Sequence, residues 1–138
     1  MTAPGSDPVR LSARITVKTY QPVAYEEPAE GPALMRIHVE ESFSGDIQGD
    51  GVVEFLQVVR ADGSASFVGL ERVTGKLQGR KGTFVLQDAG TVEGNVVSGE
   101  WFVVPGSGTG QLAGLRGTGG FRANLGESAE VHLDHWFE

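Results

Sequence analysis

The chain contains no cysteine, and its 11 lysine and arginine residues are outnumbered by 18 aspartates and glutamates. Without thiols it can form neither disulfides nor thiolate-based zinc sites. The net charge of −7 at pH 7 disfavours nucleic acids and anionic membrane surfaces, so we expect neither as a partner. No apolar run approaches the roughly 18 residues that span a bilayer, and residues 1–8 lack the basic and apolar regions of a signal peptide. We therefore expect a cytoplasmic protein.

No segment shows the apolar periodicity of an amphipathic helix, whereas glycine is abundant, with 21 residues. Seven of these glycines fall within residues 105–121, PGSGTGQLAGLRGTGGF. Each glycine inside a helix costs about 1 kcal/mol relative to alanine, so this density excludes a helix. The stretch lies between two strand-like sequences, GEWFVV and SAEVHLDHWF, and it therefore predicts a tight corner of a β-structure. A phosphate-binding loop is disfavoured because no helix of useful length follows the glycines.

Alternation of apolar and polar residues predicts strands along most of the chain. Asp62-Gly63 is a strong two-residue hairpin signal between two of them. The prolines and glutamates of residues 21–33 predict a long loop of the kind that often covers a binding site. The strands are predicted at residues 9–20, 34–44, 52–60, 64–74, 76–78, 83–87, 91–104 and 128–137, and Gly94-Asn95 is a candidate break in the strand at 91–104.

This spacing of short strands and hairpin turns predicts an all-β fold, namely a small closed antiparallel β-barrel of about eight strands. Closure would remove the sheet edges, which the chain does little to protect in other ways. Residues 9–138 are predicted to form this single domain. Residues 1–8 are predicted to be a disordered tail because their proline, glycine, serine and aspartate cannot order themselves.

Three carboxylates lie inside apolar strand sequences: Glu54 in VVEFLQVV, Glu71 in SFVGLERV and Asp134 in VHLDHWF. A carboxylate that faced the lumen would be desolvated, its pKa would rise, and it could act as a general acid or base near neutral pH. A carboxylate that faced outward would be solvated or paired with an arginine such as Arg72. Both faces of these strands are rich in apolar residues, so the sequence leaves the choice open. These three residues are the candidate catalytic groups.

The candidate ligand-binding residues are aromatic or polar. Trp101 and Trp136 are the only tryptophans, and both sit in strands, where they suit an apolar ligand cavity, core packing or a subunit interface. Gln87 and Tyr20 are candidates for orienting the polar groups of a ligand. Tyr25, in the predicted loop, is a candidate for covering the mouth of the barrel.

A cluster of His132, Asp134 and His135 invites a metal-binding interpretation. On a strand, however, His132 and Asp134 share one face while His135 points to the other. This geometry does not suit a metal site. We expect neither a metal nor another cofactor.

Three runs resemble a bacterial family of small uncharacterised proteins whose members adopt the barrel fold of allene oxide cyclase. The runs are FSGDIQGDG (43–51), DGSASFVGLERVTGKLQGRKGTFVLQ (62–87) and VVPGSGTGQLAGLRGTGGF (103–121). The resemblance covers nearly the whole chain after residue 10. It implies an eight-stranded antiparallel barrel with an internal cavity and no assigned activity.

The active site of the plant cyclase does not transfer with the fold. That enzyme uses a carboxylate and asparagines near one barrel mouth, beginning on its first strand. The first predicted strand of this chain, ARITVKTY (13–20), contains neither residue type. The resemblance therefore implies a fold and not a reaction.

Three classes of function suit these observations. The barrel could bind an apolar small molecule in its lumen, or act on such a molecule as a cofactor-free cyclase or isomerase. Alternatively, it could be a structural barrel with a filled core that forms a homo-oligomer through its outer face. We favour small-molecule binding, with cyclase or isomerase chemistry as a hypothesis by fold analogy only.

Overall fold

A computed structural model of the protein describes residues 7–138. Eight antiparallel strands form one closed barrel in which each strand pairs with its neighbours in sequence and β8 pairs with β1. The predicted closed antiparallel barrel of about eight strands is therefore confirmed. Residues 1–6 of the predicted tail lie outside the described residues. The strands are β1 (Val9–Glu26), β2 (Ala33–Gly45), β3 (Ile47–Val59), β4 (Ala65–Leu77), β5 (Arg80–Glu93), β6 (Val96–Val103), β7 (Leu115–Asn124) and β8 (Ala129–Phe137).

The first strand is longer than its partner on one side. Its residues Val9 to Ile15 pair with β8, whereas its pairing with β2 continues to Glu26. Beyond Ile15, β1 therefore departs from β8 together with β2. This departure creates a gap in the wall at one end of the barrel, which we call the open end.

The predicted loop over residues 21–33 is wrong for most of its length. The strand β1 extends through Pro22, which pairs with Ile37, and the connection to β2 covers only residues 27–32. Proline lacks a backbone N–H and is tolerated on an edge strand. This part of β1 is such an edge, because it pairs with β2 alone within the described chain.

The glycine-rich stretch contains more structure than the predicted corner. Residues 104–114 connect β6 to β7 and include a short 3₁₀ helix, Gly110–Leu112. The rest of the stretch continues into β7, a strand that the sequence pattern did not predict. The connection closes the end of the barrel opposite to the gap, where Leu112 is fully buried.

Within residues 7–138, no helix is long and apolar enough to cross a membrane.

The core is filled at this closed end. Apolar side chains from all eight strands alternate inward and remove their surface from water, which is the main force that holds the barrel together. The fully buried members of this cluster include Leu11, Ile47, Leu77, Phe84, Leu112, Leu115 and Leu133.

Candidate functional site

Three carboxyl groups point into the barrel towards its open end. Glu41 of β2, Glu71 of β4 and Asp88 of β5 are 6%, 1% and 3% exposed. Each continues the inward-facing alternation of its strand, so the same period of two that buries the apolar side chains buries the acids. Acidic side chains are almost never fully buried unless they are paired with a cation, which sets these three residues apart from the rest of the core.

Two glycines provide the space that two of these carboxyl groups occupy. A Cβ atom on Gly51 would overlap Oε2 of Glu71, and one on Gly69 would lie 2.7 Å from Oδ1 of Asp88. A Cβ on Gly69 would also lie 2.6 Å from a ring carbon of Phe55. Glycine within a strand often marks such a close approach. The backbone is thus shaped around the acids.

Burial dominates the electrostatics of the three acids. Burial raises the pKa of Glu71 well above its usual range, and a hydrogen bond to Glu41 and the nearby negative charges raise it further. Burial and the charge of Glu41 raise the pKa of Asp88 to about 7. Burial also raises the pKa of Glu41. The protonated, neutral forms are therefore favoured, because a charged carboxylate loses its hydration on entering the barrel.

The hydrogen bonding of the acids is incomplete. Glu41 and Glu71 bond to each other, which requires a proton on one of them. Oε2 of Glu71 and Oδ1 of Asp88 are buried and have no hydrogen-bond partner within residues 7–138. Most buried polar atoms in folded proteins have a partner, so each exception calls for an explanation.

A cavity of about 590 Å³ lies at the open end and reaches these acids. Its mouth lies between β1, at Thr16 to Tyr20, and the β7–β8 turn at residues 125–128. Its charged lining residues are Glu127 near the mouth and the three interior acids, and no lysine, arginine or histidine of the described chain lines it. The apolar and aromatic lining includes Ile15, Val39, Phe55, Val97, Trp101, Phe121 and Ala123.

The aromatic wall of the cavity is held in place by its own contacts. The rings of Trp101 and Phe121 lie 5.0 Å apart between centroids, and Phe121 stacks on Phe67 at 6.1 Å. Nε1 of Trp101 donates a hydrogen bond of 3.1 Å to the carbonyl oxygen of His132. The aromatic part of the wall is therefore held in place, and Trp101 lies beside Asp88, its partner in the pairing of β5 with β6.

Of the predicted catalytic residues, the structure brings only Glu71 to this cavity. Glu54 lies on the outer face, where Oε1 is 2.9 Å from Nδ1 of His38. Asp134 also lies on the outer face and accepts two hydrogen bonds from Arg10, of 2.8 and 2.9 Å. Arg10 holds the pKa of Asp134 below its usual range. The outward alternative that the sequence left open is thus the one observed for Glu54 and Asp134.

The predicted ligand-binding residues divide in the same way. Trp101 and Tyr20 line the cavity, Trp101 in the interior and Tyr20 at the mouth, where it is 59% exposed. Trp136 lies outside the cavity lining, with the centroid of its ring 5.8 Å from the guanidinium carbon of Arg116. Gln87 is exposed on the outer face, and Tyr25 is exposed near the end of β1 outside the cavity lining.

Sequence reasoning missed Glu41 and Asp88, although a signal existed for each. Glu41 occupies the position between Val39 and Phe43 in an otherwise apolar inward face. Asp88 lies one residue beyond the predicted end of a strand and continues the face of Leu86. An acid at an inward position of an alternating strand is the pattern that both share.

The interior acids do not form a metal centre. Within residues 7–138, no group of three or more histidine, aspartate or glutamate side chains is placed to hold a metal ion. The acids instead line one cavity together with apolar and aromatic side chains. Such an arrangement suits an organic molecule better than a single ion.

The outer face of β3 to β6 carries a second feature, a set of exposed apolar side chains. Leu56 pairs across strands with Val68, and Leu70 and Phe102 flank Gln87. Leu56, Val68 and Leu70 are each more than half exposed, Leu70 by 56%. Contiguous exposed apolar surface often marks an interaction site. We call these four apolar residues the outer apolar face.

Comparison with known proteins confirms the predicted resemblance to a family of uncharacterised proteins. The family model described as a protein of unknown function (DUF3224) matches residues 11–135. The crystal structure of a protein of unknown function from the DUF3224 family of Shewanella oneidensis MR-1 is 32% identical in sequence. The match covers 96% of this chain and 99% of that one, with a TM-score of 0.82. The search of curated proteins found no match.

Proposed function

The chain belongs to the DUF3224 family of proteins of unknown function, and we propose that it binds a small, largely apolar molecule in the open half of its barrel. The observation that carries this proposal is the cavity of about 590 Å³ that Glu71 and Asp88 line, because each of these buried acids keeps one oxygen atom without a hydrogen-bond partner among the described residues. Ligand pockets usually measure about 300–1,000 Å³ and combine apolar walls with a few convergent polar groups.

The energetics of the acids support binding over a purely structural role. A buried polar group without a partner costs about 1–3 kcal/mol, whereas an apolar side chain of similar size would stabilise the same position. The closed end of the same barrel shows that this chain can fill a lumen with leucine, isoleucine and phenylalanine. Polar groups kept at a stability cost are typical of functional sites.

We expect a bulky side chain at the cavity wall to block binding. Ala123 lines the cavity near its mouth, whereas Ala89 is exposed on the outer face. With 4-phenylbutan-1-ol as a neutral apolar probe, Ala123→Phe should weaken binding about tenfold or more, because the new ring takes the volume of the probe. The matched variant Ala89→Phe should bind as the wild type does.

Binding can be followed by the fluorescence of Trp101 in a Trp136→Phe background, since only Trp101 lines the cavity. A probe that does not perturb Trp101, or that binds both alanine variants equally, would rule out the lumen as the binding site. If the probe binds in the lumen, incubation with a metabolite extract, followed by mass spectrometry of retained compounds, would identify the natural ligand.

A cofactor-free isomerase is a second candidate, favoured by Asp88. With a pKa of about 7, this carboxyl group is partly ionised at neutral pH and can accept a proton, while the neighbouring Glu71 is held in its protonated form by burial. Two titratable groups in different protonation states are what acid–base isomerisation needs. In the extract experiment, an isomer of equal mass would appear and the Asp88→Asn protein would not form it.

Assembly into a homo-oligomer is supported by a separate feature, the outer apolar face. If copies of the chain associate there, Leu70→Arg should shift the protein to a lower mass in sedimentation velocity, because a buried unpaired charge opposes association. Val23→Arg, at another exposed apolar position in β1, is the matched control. A monomeric wild type would exclude assembly while leaving the lumen proposal intact.

A further inference from the structure

We propose that the ligand of this cavity is a small organic amine, bound as its ammonium ion with the charged end at Glu71 and Asp88 and an apolar body against the aromatic wall. The inference rests on the proposed lumen function and names its substrate class. Four features of the cavity support it: the charge of its lining, the unpartnered oxygens, the aromatic wall and the shape of the acidic cluster.

The charge of the lining selects against anions. Glu41, Glu71 and Asp88 lie inside, Glu127 lies near the mouth, and no cationic side chain of the described residues lines the cavity. An anionic ligand such as a fatty acid would find no compensating cation there, and it would be repelled by Asp88, whose pKa of about 7 leaves this group partly ionised at neutral pH. The net charge of the whole chain, −7, acts in the same direction by attracting cations from solution.

The unpartnered oxygens select for a hydrogen-bond donor. Oε2 of Glu71 and Oδ1 of Asp88 are acceptors once their groups are ionised, and neither has a partner within residues 7–138. A primary ammonium group carries three donors and a charge that offsets that of the acids. The Glu71 side chain is 1% exposed and its unpartnered oxygen lies against Gly51, so this carboxyl group must turn towards the cavity to accept a bond from a ligand.

The aromatic wall suits the same ligand. Trp101, Phe55 and Phe121 line the cavity together with Glu71 and Asp88. Aromatic faces attract cations as well as apolar groups, and the attraction is strongest where water is excluded. An ammonium ion with an apolar body can therefore use the acids and the rings together.

The placement of the acids favours an amine over a metal ion. Hard divalent cations need six or more converging oxygens. No set of three acids or histidines among the described residues is placed to hold a metal ion. An ammonium ion carries three N–H donors, and its acceptors can be separate oxygen atoms that do not converge on one point. The cavity volume of about 590 Å³ also exceeds the needs of a single ion.

Three probes with the same apolar body test the inference: 4-phenylbutan-1-amine, 4-phenylbutan-1-ol and 4-phenylbutanoate. At neutral pH we expect the amine to bind about tenfold or more tightly than the alcohol, because hydrogen bonds to charged groups are worth more than those between neutral groups. The carboxylate should bind more weakly than the alcohol. The fluorescence of Trp101 in the Trp136→Phe protein reports on all three.

Variants of the acids separate charge from shape. Glu71→Gln combined with Asp88→Asn keeps the size of both side chains and should bring the affinities for amine and alcohol within about twofold of each other. Asp134→Asn, on the outer face, should leave the preference for the amine unchanged. Retention of that preference in the double variant would overturn the inference.

The pH dependence gives an independent readout. Binding of a cation requires the ionised form of Asp88, whose neighbours in the cavity are Glu41 and Glu71. Between about pH 7.5 and 5.5 the ionised fraction of a group with a pKa of about 7 falls about 25-fold, and the amine affinity should fall with it. The alcohol affinity should change little, and calorimetry in buffers of different ionisation enthalpy should show proton release on amine binding.

The outcomes distinguish the two levels of the proposal. If the alcohol binds at Trp101 and the amine binds no better, the amine inference is wrong while lumen binding stands. Tightest binding of the carboxylate would have the same meaning. If no probe perturbs Trp101, and Ala123→Phe has no effect on any of them, then the lumen proposal fails and the inference fails with it.

Discussion

Asp88→Asn is expected to make the protein more stable than the wild type at neutral pH and to remove a large part of its pH dependence. The pKa of Asp88 is raised from 3.8 to about 7 in the folded protein, so the folded state holds a proton that the unfolded state releases. The stability from this proton is fully present below about pH 3.8 and is lost as the pH rises through about 7. By linkage, the loss between about pH 4.5 and 7.5 amounts to about 3 kcal/mol.

The measurement is the free energy of unfolding in urea at these two pH values. The wild-type value should fall between them, whereas that of Asp88→Asn should fall by about 3 kcal/mol less. Taking the difference between the two proteins cancels His38, whose raised pKa gives it a loss of stability with rising pH in both. Parallel pH profiles would mean that Asp88 is ionised in the folded protein at neutral pH.

Asp134→Asn is the matched control with the opposite sign. Arg10 lowers the pKa of Asp134, so this carboxylate stabilises the fold above its unfolded pKa of 3.8 and loses that effect only as the pH falls further. The variant should therefore lose similar stability at about pH 4.5 and at pH 7.5. Two aspartates of one barrel thus respond differently because one faces the cavity and the other faces an arginine.

Gly75→Ala is expected to cost about 3 kcal/mol or more of the free energy of unfolding. Gly75 of β4 pairs with Gly49 of β3. A Cβ on Gly75 would overlap the carbonyl oxygen of Gln48 and would lie 2.8 Å from Cα of Gly49. These neighbours are backbone atoms that cannot rotate away, so the two strands would have to separate.

Gly63→Ala shows what the same change costs without a clash. Gly63 lies in the β3–β4 turn with a φ of +86°, and nothing lies within 4 Å of a Cβ placed there. Its cost is the left-handed backbone conformation alone, about 1 kcal/mol. Urea unfolding of both variants tests the comparison, and equal costs would mean that the β3–β4 contact relaxes easily. Failure of the Gly75→Ala chain to fold counts as the larger effect.

The two predictions concern opposite halves of the barrel. Gly75 lies towards the closed end, beside the Leu77 and Ile47 of the filled core, where close packing leaves no tolerance for an added methyl group. Asp88 lies on the cavity wall, where an isosteric loss of charge is expected to stabilise. Tight packing at the closed end stabilises the barrel, whereas the buried acids at the open end lower its free energy of unfolding. This combination is what we expect of a stable scaffold with a binding site.

Much of the fold was determined by the local sequence pattern. Alternation placed β2 and β8 close to their observed bounds, and Asp62-Gly63 marked the β3–β4 turn, because both signals depend only on neighbouring residues. The strand β7 escaped prediction, since glycines such as Gly117 and Gly119 have no side chain from which alternation can be detected. The extension of β1 through Pro22 could not be predicted, because a strand tolerates proline only where one of its sides has no partner strand. That absence is a property of the assembled barrel.

The candidate site was decided almost entirely by the tertiary structure. Glu54 and Glu71 stand in strands that are apolar on both faces, so only the closure of the barrel determined that Glu71 faces the lumen and Glu54 faces solvent. Glu41 and Asp88 are far from Glu71 in sequence and join it because β2, β4 and β5 curve around one cavity. The sequence by itself determined which residues alternate along each strand. The closure of the eight strands into a barrel decided which of the two faces lines the shared interior.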